Sequence, residues 1–470
     1  MKNTLAPINR LPLDVLSLIP VSLDVDEEDE DLIALTHVCR AWRQIFISQS
    51  SLWTYLDCTN ADKTSIYLER SKFSLINVSL YRGDPLLISD PFFQIIPHSV
   101  CRVKSLSVTA RPEILHNIIA HLPPHAPLLE RLYISDTFRF RALQDRSPHT
   151  TALFSGDLSS LRVLRLESVR TELPWRNMVN LTSVVLCHTS PGGPSIRQLL
   201  DFFESTPRLC KIKLDSATPV NCGQIGRLVS LAYLNRMKIL WGSPSSLLDH
   251  LLIPIGAKLS LRGESFRRII EDHLPGSLDN LRNISNITKI RLSAGDYAYV
   301  QLSGPSGQFS MASRVDARSG FECLVRLDTS KVERLEIVGI NHLLMRPSYR
   351  GLLSLENLRA LTFSLCKSPY TFMDALNPDT VSSDVMPCPK LEEIVLIPHT
   401  GTEVDIESVT KVAAARAFGG AKLRTVWIGG KDKLNPRDVL ELRKHVLNVE
   451  CDPVVDEVDN DSDDSDEYFW

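Results

Sequence analysis

A spacing of apolar residues, Φ-x-x-Φ-x-Φ, recurs along this chain of 470 residues and constrains its fold more than any other feature. It stands at Leu129, Leu132 and Ile134, at Leu161, Leu164 and Leu166, at Leu181, Val184 and Leu186, and at Leu209, Ile212 and Leu214. It returns at Ile287, Ile290 and Leu292, at Val332, Leu335 and Ile337, at Leu358, Leu361 and Phe363, at Leu391, Ile394 and Leu396, and at Leu423, Val426 and Ile428. Weaker copies centre on Val78, Leu106, Met237 and Leu259, and most steps between successive centres are 20 to 33 residues. The last two apolar positions lie two apart, which puts them on one face of a short strand. The first lies just ahead, where the chain enters the strand from a turn.

Helical patterns fall between the strands. Ile196, Leu199, Leu200 and Phe203 follow the helical period, and Pro207 closes that segment. Near the end, Asn435 reads as an N-cap, Pro436 as the first helical residue and Asp438 as a favourable early charge. Val439, Leu442 and Val446 give that helix its apolar stripe. No such unit can bury its apolar face alone, so neighbours must stack. The period and the strand, turn, helix order resemble the leucine-rich repeat. That reading implies an α/β fold: an irregular solenoid over residues 58–449, with a parallel sheet inside and helices outside. An ordinary α/β sheet with a chance spacing is the other reading the pattern allows.

One step is out of pattern, the 45 residues from Ile290 to Leu335. It holds two alternating stretches around Gly304-Pro305-Ser306-Gly307, which predicts a β-hairpin insertion near residues 296–312.

Residues 8–53 are built differently. Leu11, Pro12, Asp14, Leu16 and Ile19 precede an acidic loop at 24–31; then come Leu32, Leu35, Val38, Cys39, Arg40, Trp42, Arg43 and Ile45, and finally Leu52-Trp53. Both long pieces read as amphipathic helices. Pro12 can open the first, because its missing N–H would have no partner there. Leu32, Leu35, Cys39 and Trp42 trace one stripe of the second, which Val38 and Ile45 widen. So much apolar surface on about 45 residues must pack on the rest of the chain, on another protein, or on both.

The ordered set resembles an F-box, and more narrowly the F-box-like proteins abundant in mushroom-forming fungi, in which irregular leucine-rich repeats follow. Asp14 stands where that family usually has Glu, and Pro20 where it continues the first helix. The resemblance implies a helical F-box domain over residues 1–57 and a substrate receptor of a Skp–cullin–F-box ubiquitin ligase. The F-box would dock on the cullin adaptor, and the repeats would hold an unidentified protein substrate. Leu11, Pro12, Leu16 and Ile19 would supply the first anchors for the adaptor. Val38, Cys39, Trp42, Arg43 and Trp53 would form or support the second. A repeat scaffold without a ligase role, in which the helices merely cap the solenoid, is the alternative.

Composition narrows the remaining classes. With 43% hydrophobic and 23% charged residues the chain can bury a sizeable core, and it has no apolar run of membrane length. Residues 1–20 lack the continuous apolar stretch of a secretion signal. None of the ten cysteines forms a Cys-x-x-Cys pair, which suits a reducing compartment and argues against a structural zinc. An intracellular protein, cytoplasmic or nuclear, is expected. No enzyme is expected either: zincin, nucleophile-elbow and phosphate-loop spacings are missing, and Pro123 and Pro124 interrupt His116, His121 and His125. No metal or cofactor is expected. Charge is segregated. Residues 24–31 carry −7 and residues 450–470 carry −10 within a net −4, which leaves about +12 on residues 32–449. The terminal run reads as a disordered, solvated tail. The alternative is that the basic body binds something acidic and the tail competes for that surface. No basic helix with interleaved aromatics is present, so nucleic-acid binding is not expected.

Overall fold

The computed structural model describes residues 12, 15–16, 29–82, 91–136, 151–152, 154, 158–169, 171–172, 177–187, 194–215, 226–240, 244–263, 274–294, 298–313, 326–339, 352–366, 370–377, 386–398, 406–429 and 435–452. They form two compact units, Met1–Leu234 and Asn235–Trp470, whose boundary falls inside the 58–449 span.

In the first unit, helices α1 (Asp29–His37) and α2 (Arg40–Ser48) lead through a 3-10 turn, Ser50–Trp53, into strand β1 (Tyr55–Asp57) and helix α3 (Ala61–Ser71). Strands β2 (Ile76–Arg82), β3 (Val103–Ala110), β4 (Arg131–Asp136), β5 (Val163–Glu167), β6 (Ser183–Cys187) and β7 (Lys211–Asp215) follow. All seven pair in parallel and in chain order. Leu56, Val78, Leu106, Leu132, Leu164, Val184 and Ile212 are Cα partners in one continuous row, and every one is buried. The centres of the apolar spacing are thus the rungs of this sheet.

The first apolar position of each copy has its own task. The backbone N–H of Leu129, Leu161, Leu181 and Leu209 donates to the carbonyl three residues earlier, at 3.0–3.2 Å. Each closes a tight turn, and the next residue already joins the ladder. Arg162 donates to Glu130, Thr182 to Arg162 and Cys210 to Thr182, all at 2.8 Å. An asparagine reinforces one such turn: Asn180 donates from Nδ2 to the Ser159 carbonyl (2.8 Å) and accepts at Oδ1 from Arg208 (3.0 Å). Helix α4 (Ile196–Ser205) buries Ile196, Leu199, Leu200, Phe202 and Phe203, and a reciprocal Ser195–Gln198 capping box opens it.

The second unit contains β8 (Arg236–Leu240), β9 (Lys258–Gly263), β10 (Lys289–Ala294), β11 (Ala298–Gly304), β12 (Gly307–Ser313), β13 (Arg334–Val338), β14 (Ala360–Cys366), β15 (Glu393–Pro398), β16 (Thr425–Gly429) and β17 (Asn448–Asp452). From β13 to β17 pairing is again parallel and sequential, with Leu335, Leu361, Ile394, Val426 and Val449 in one row. The turns repeat as well. Val332, Leu358 and Leu391 donate three residues back, and Asn357 bonds the Ser330 carbonyl while accepting from Lys390.

Strands β11 and β12 form an antiparallel hairpin, and the hairpin is spliced into the sheet. Its lateral order is β9, β12, β11, β10, β13, so β9 pairs with β12 instead of β10. The turn is clamped from both sides. Ser306 is buried, its carbonyl accepts from Gly256 at 2.7 Å, and its hydroxyl meets Asn286 at 2.9 Å. Both turn glycines are required. Gly307 has φ +134°, and a Cβ on Gly304 would run into the Asn286 carbonyl.

Helix α5 (Ile406–Phe418) and helix α6 (Pro436–His445) flank β16 in sequence. Asn435 caps α6 by accepting from Arg437 N–H at 3.0 Å; that helix ends at His445, one residue short of the buried Val446. Strand β17 carries ordered structure past the 449/450 boundary read from the sequence, to Asp452. Residues 453–470 lie outside the described residues. Among the described residues no helix is long and apolar enough to cross a membrane, and no His, Cys, Asp and Glu cluster could hold a metal.

Candidate functional site

The nine residues singled out as anchors all precede β1. Leu11 and Ile19 lie outside the described residues, as do Asp14, Pro20 and residues 24–28 of the acidic loop. Leu16 donates its N–H to the Pro12 carbonyl at 3.0 Å, the i to i−4 bond of a first helical turn. Pro12 and Val15 are exposed and Leu16 is buried.

The single helix expected over Leu32 to Ile45 is two. Helix α1 stops at His37, and Cys39 is fully extended (φ −158°, ψ 171°) as the N-cap of α2. A continuous helix would give the Thr36 carbonyl to the N–H of Arg40. Instead the Arg43 side chain takes it, Nε to Thr36 O at 3.0 Å, while its NH2 donates to Nδ1 of His37 at 3.1 Å. Thr36 is turned inward and bonds the Ile33 carbonyl with its hydroxyl at 2.7 Å. The break projects Val38 outward, half exposed at 50%, so it does not widen a buried stripe.

Beyond the break the apolar residues close on one another. Leu16, Trp42 and Phe46 form a buried cluster, with Leu35, Cys39, Ile45 and Leu52 packed against it. The Trp42 and Phe46 rings meet edge to face at 5.4 Å. Trp53 is fully buried and packs on α3. Its ring stands at 4.9 Å from Tyr67 of α3, with the Arg70 guanidinium 4.2 Å over it. The anchors therefore divide. Leu16, Trp42 and Trp53 are consumed within the chain, Cys39 is half-buried, and Pro12, Val38 and Arg43 present surface. Sequence reasoning missed Phe46, one residue beyond the stripe, and the exposed Val15 and Ile33.

Residues 8–59 match the F-box-like family. The matched span closes two residues after β1, so the F-box-like domain takes in α1, α2, the 3-10 turn and the first strand. Domains of this kind typically bind Skp-type cullin adaptors, which points to F-box-mediated protein interaction. Comparison with curated protein sequences returns no match.

Two thiols elsewhere are muted by burial. The Cys187 thiol is pushed up to about 12, first by burial and then by the Asp215 and Glu167 carboxylates. Burial likewise pushes Cys388 up to about 12, although Arg416 opposes it. Both thiols are held neutral, and a neutral thiol is a poor nucleophile. Arg416 is itself fully buried and donates to the carbonyls of Pro387 (2.9 Å) and Cys388 (2.8 Å).

Proposed function

We propose that the chain is the substrate receptor of a Skp–cullin–F-box ubiquitin ligase. The F-box-like domain docks the cullin adaptor, and the repeating strands, read as a leucine-rich-repeat solenoid, hold a protein target. In this reading the chain performs no catalysis and works inside the cell. The observation that carries the proposal is the F-box-like match over residues 8–59 followed by in-register apolar rows. Pro12, Val38 and Arg43, with Val15 and Ile33, are the side chains able to meet the adaptor, and Leu16, Trp42 and Trp53 support them from beneath. Co-purification of the full chain with a Skp-type adaptor tests this; a stoichiometric complex is the expected result.

One observation favours a second reading. The two tryptophans and Leu16 are spent inside the chain, as they would be in a cap that only shields the first strands of a scaffold. An adaptor that fails to bind the folded chain at micromolar concentration would favour the scaffold.

A further inference from the structure

Register places a block of positive charge on one face of the second unit's sheet. In each strand the residues alternating with the buried rungs point to the opposite face. Following Cα partners across β8, β9, β12, β11, β10 and β13, the row just before the rungs includes Arg236, Lys258, Lys289 and Arg334. The next row on that face adds Lys238 and Arg291, and the one after it Arg262. Glu336 is the single acid among the described residues of these rows. It is shared by Lys289 at 2.9 Å and Arg291 at 3.7 Å. Across β14 to β17 the same rows contain Glu393, Glu450 and Asp452 and no Lys or Arg.

Two pairs within the block oppose like charges. Arg236 partners Lys258, and Lys289 partners Arg334, on strands about 4.8 Å apart. Lys258, Lys289 and Arg334 are also exposed, so these three present cationic side chains at the surface, Lys289 while paired with Glu336.

We propose that residues 453–470 of this chain lie across that face. The segment has eight Asp and Glu and no Lys or Arg, and it follows directly from the end of β17 in the same unit. Reach is sufficient. From β17 to β13 is four strand spacings, about 19 Å, and to β9 about 38 Å. Eighteen extended residues span about 60 Å. The segment then screens the surface that an acidic stretch of another protein would use. This holds whether or not the F-box-like domain binds an adaptor.

The test uses the full chain and a full-length variant whose eight carboxylates in 453–470 are changed to their amides. Binding of a fluorescent deca-glutamate peptide is followed by anisotropy at low salt and again at about 0.15 M, where the Debye length is about 8 Å. The amide variant should bind at least tenfold tighter at low salt, with the difference shrinking as salt rises. Adding Lys258→Glu, Lys289→Glu and Arg334→Glu to it should remove that binding, and a synthetic 453–470 peptide should compete with the probe. Serine replacements at the same three positions serve if the reversed variant melts early. Equal affinity of wild type and amide variant would overturn the proposal. So would an equal loss on reversing Lys411, Arg437 and Arg443, exposed helical cations away from the block.

Discussion

The indole Nε1–H of Trp53 donates to the backbone carbonyl of Phe46 at 2.9 Å, between two fully buried residues. That carbonyl belongs to the last turn of α2 and also accepts from the backbone N–H of Gln49 at 3.3 Å, so the indole adds a second donor to it. The same indole packs on Tyr67 and Arg70 of α3, so one side chain ties the helices of the F-box-like domain to the helix that follows β1.

Replacing this indole separates bond from bulk. Trp53→Phe keeps most of the ring but loses the donor, and should cost about 1 kcal/mol in urea unfolding. Trp53→Ala opens a cavity and should cost about 3–5 kcal/mol. Wild-type stability for Trp53→Phe would show that the bond contributes nothing.

Adaptor binding should respond to exposed and buried positions by different routes. Val38→Asp puts a charge on a half-exposed residue at the helix break, so folding should be unchanged while adaptor affinity falls at least tenfold. Leu16→Asp buries a carboxylate in the Trp42–Phe46 cluster and should melt the domain itself. Calorimetric titration with adaptor, alongside thermal melts, checks both. Full affinity in Val38→Asp would exclude this residue from the interface.

Arg43 should behave as a fastener of the break. Arg43→Ala releases the Thr36 carbonyl and the His37 ring, and should cost about 1–2 kcal/mol. Arg43→Lys keeps the charge but lacks the fork that reaches both, so it should recover little. Faster amide exchange confined to the last turn of α1 and the first of α2 is the accompanying signature. A lysine variant as stable as wild type would show that charge alone suffices.

Some of this was legible in the sequence, for reasons that particular residues make plain. The spacing puts Leu132, Leu164 and Val184 on the buried face of short strands, and strand register repeats it residue for residue. The spacing also puts Leu161 and Leu358 just ahead of their strands, where each is buried and closes a turn. Lateral order was not legible: spacing locates β10, but nothing in it says that β12 rather than β10 lies beside β9. The break at Val38 was hidden because the apolar period runs through it, and periodicity cannot see Arg43 taking a backbone carbonyl. Nor could residue type separate Trp42 and Trp53 in a core from the same tryptophans on a partner.

Thiol labelling should follow burial. Cys187 and Cys388 have folded values raised to about 12, so any stability they contribute is complete below the unfolded value near 9 and is lost as pH climbs from there towards 12. At pH 8 both should resist iodoacetamide until denaturant is added, whereas exposed Cys101 should label at once. Peptide mapping after a short pulse reads all three. Labelling of Cys388 in the native protein would mean that the α5 region, where Arg416 covers it, opens readily.

The spliced hairpin makes the sharpest structural prediction. Its turn fits between two backbone segments, and the fit depends on Gly304 lacking a side chain, since an added methyl would strike the Asn286 carbonyl. Backbone cannot swing aside as a flexible side chain can, so Gly304→Ala should cost about 1–3 kcal/mol through overpacking. The loss should be local. Exchange should quicken first in β11, β12 and the entry to β10, while β14 to β16 keep their protection, because their ladders do not pass through the turn. Gly256→Ala is the contrasting control. Unlike Gly304 it has a positive φ, +88°, and open space around it, so it adds backbone strain without a clash. Wild-type stability and exchange in Gly304→Ala would show that the turn is not clamped by contact with Asn286.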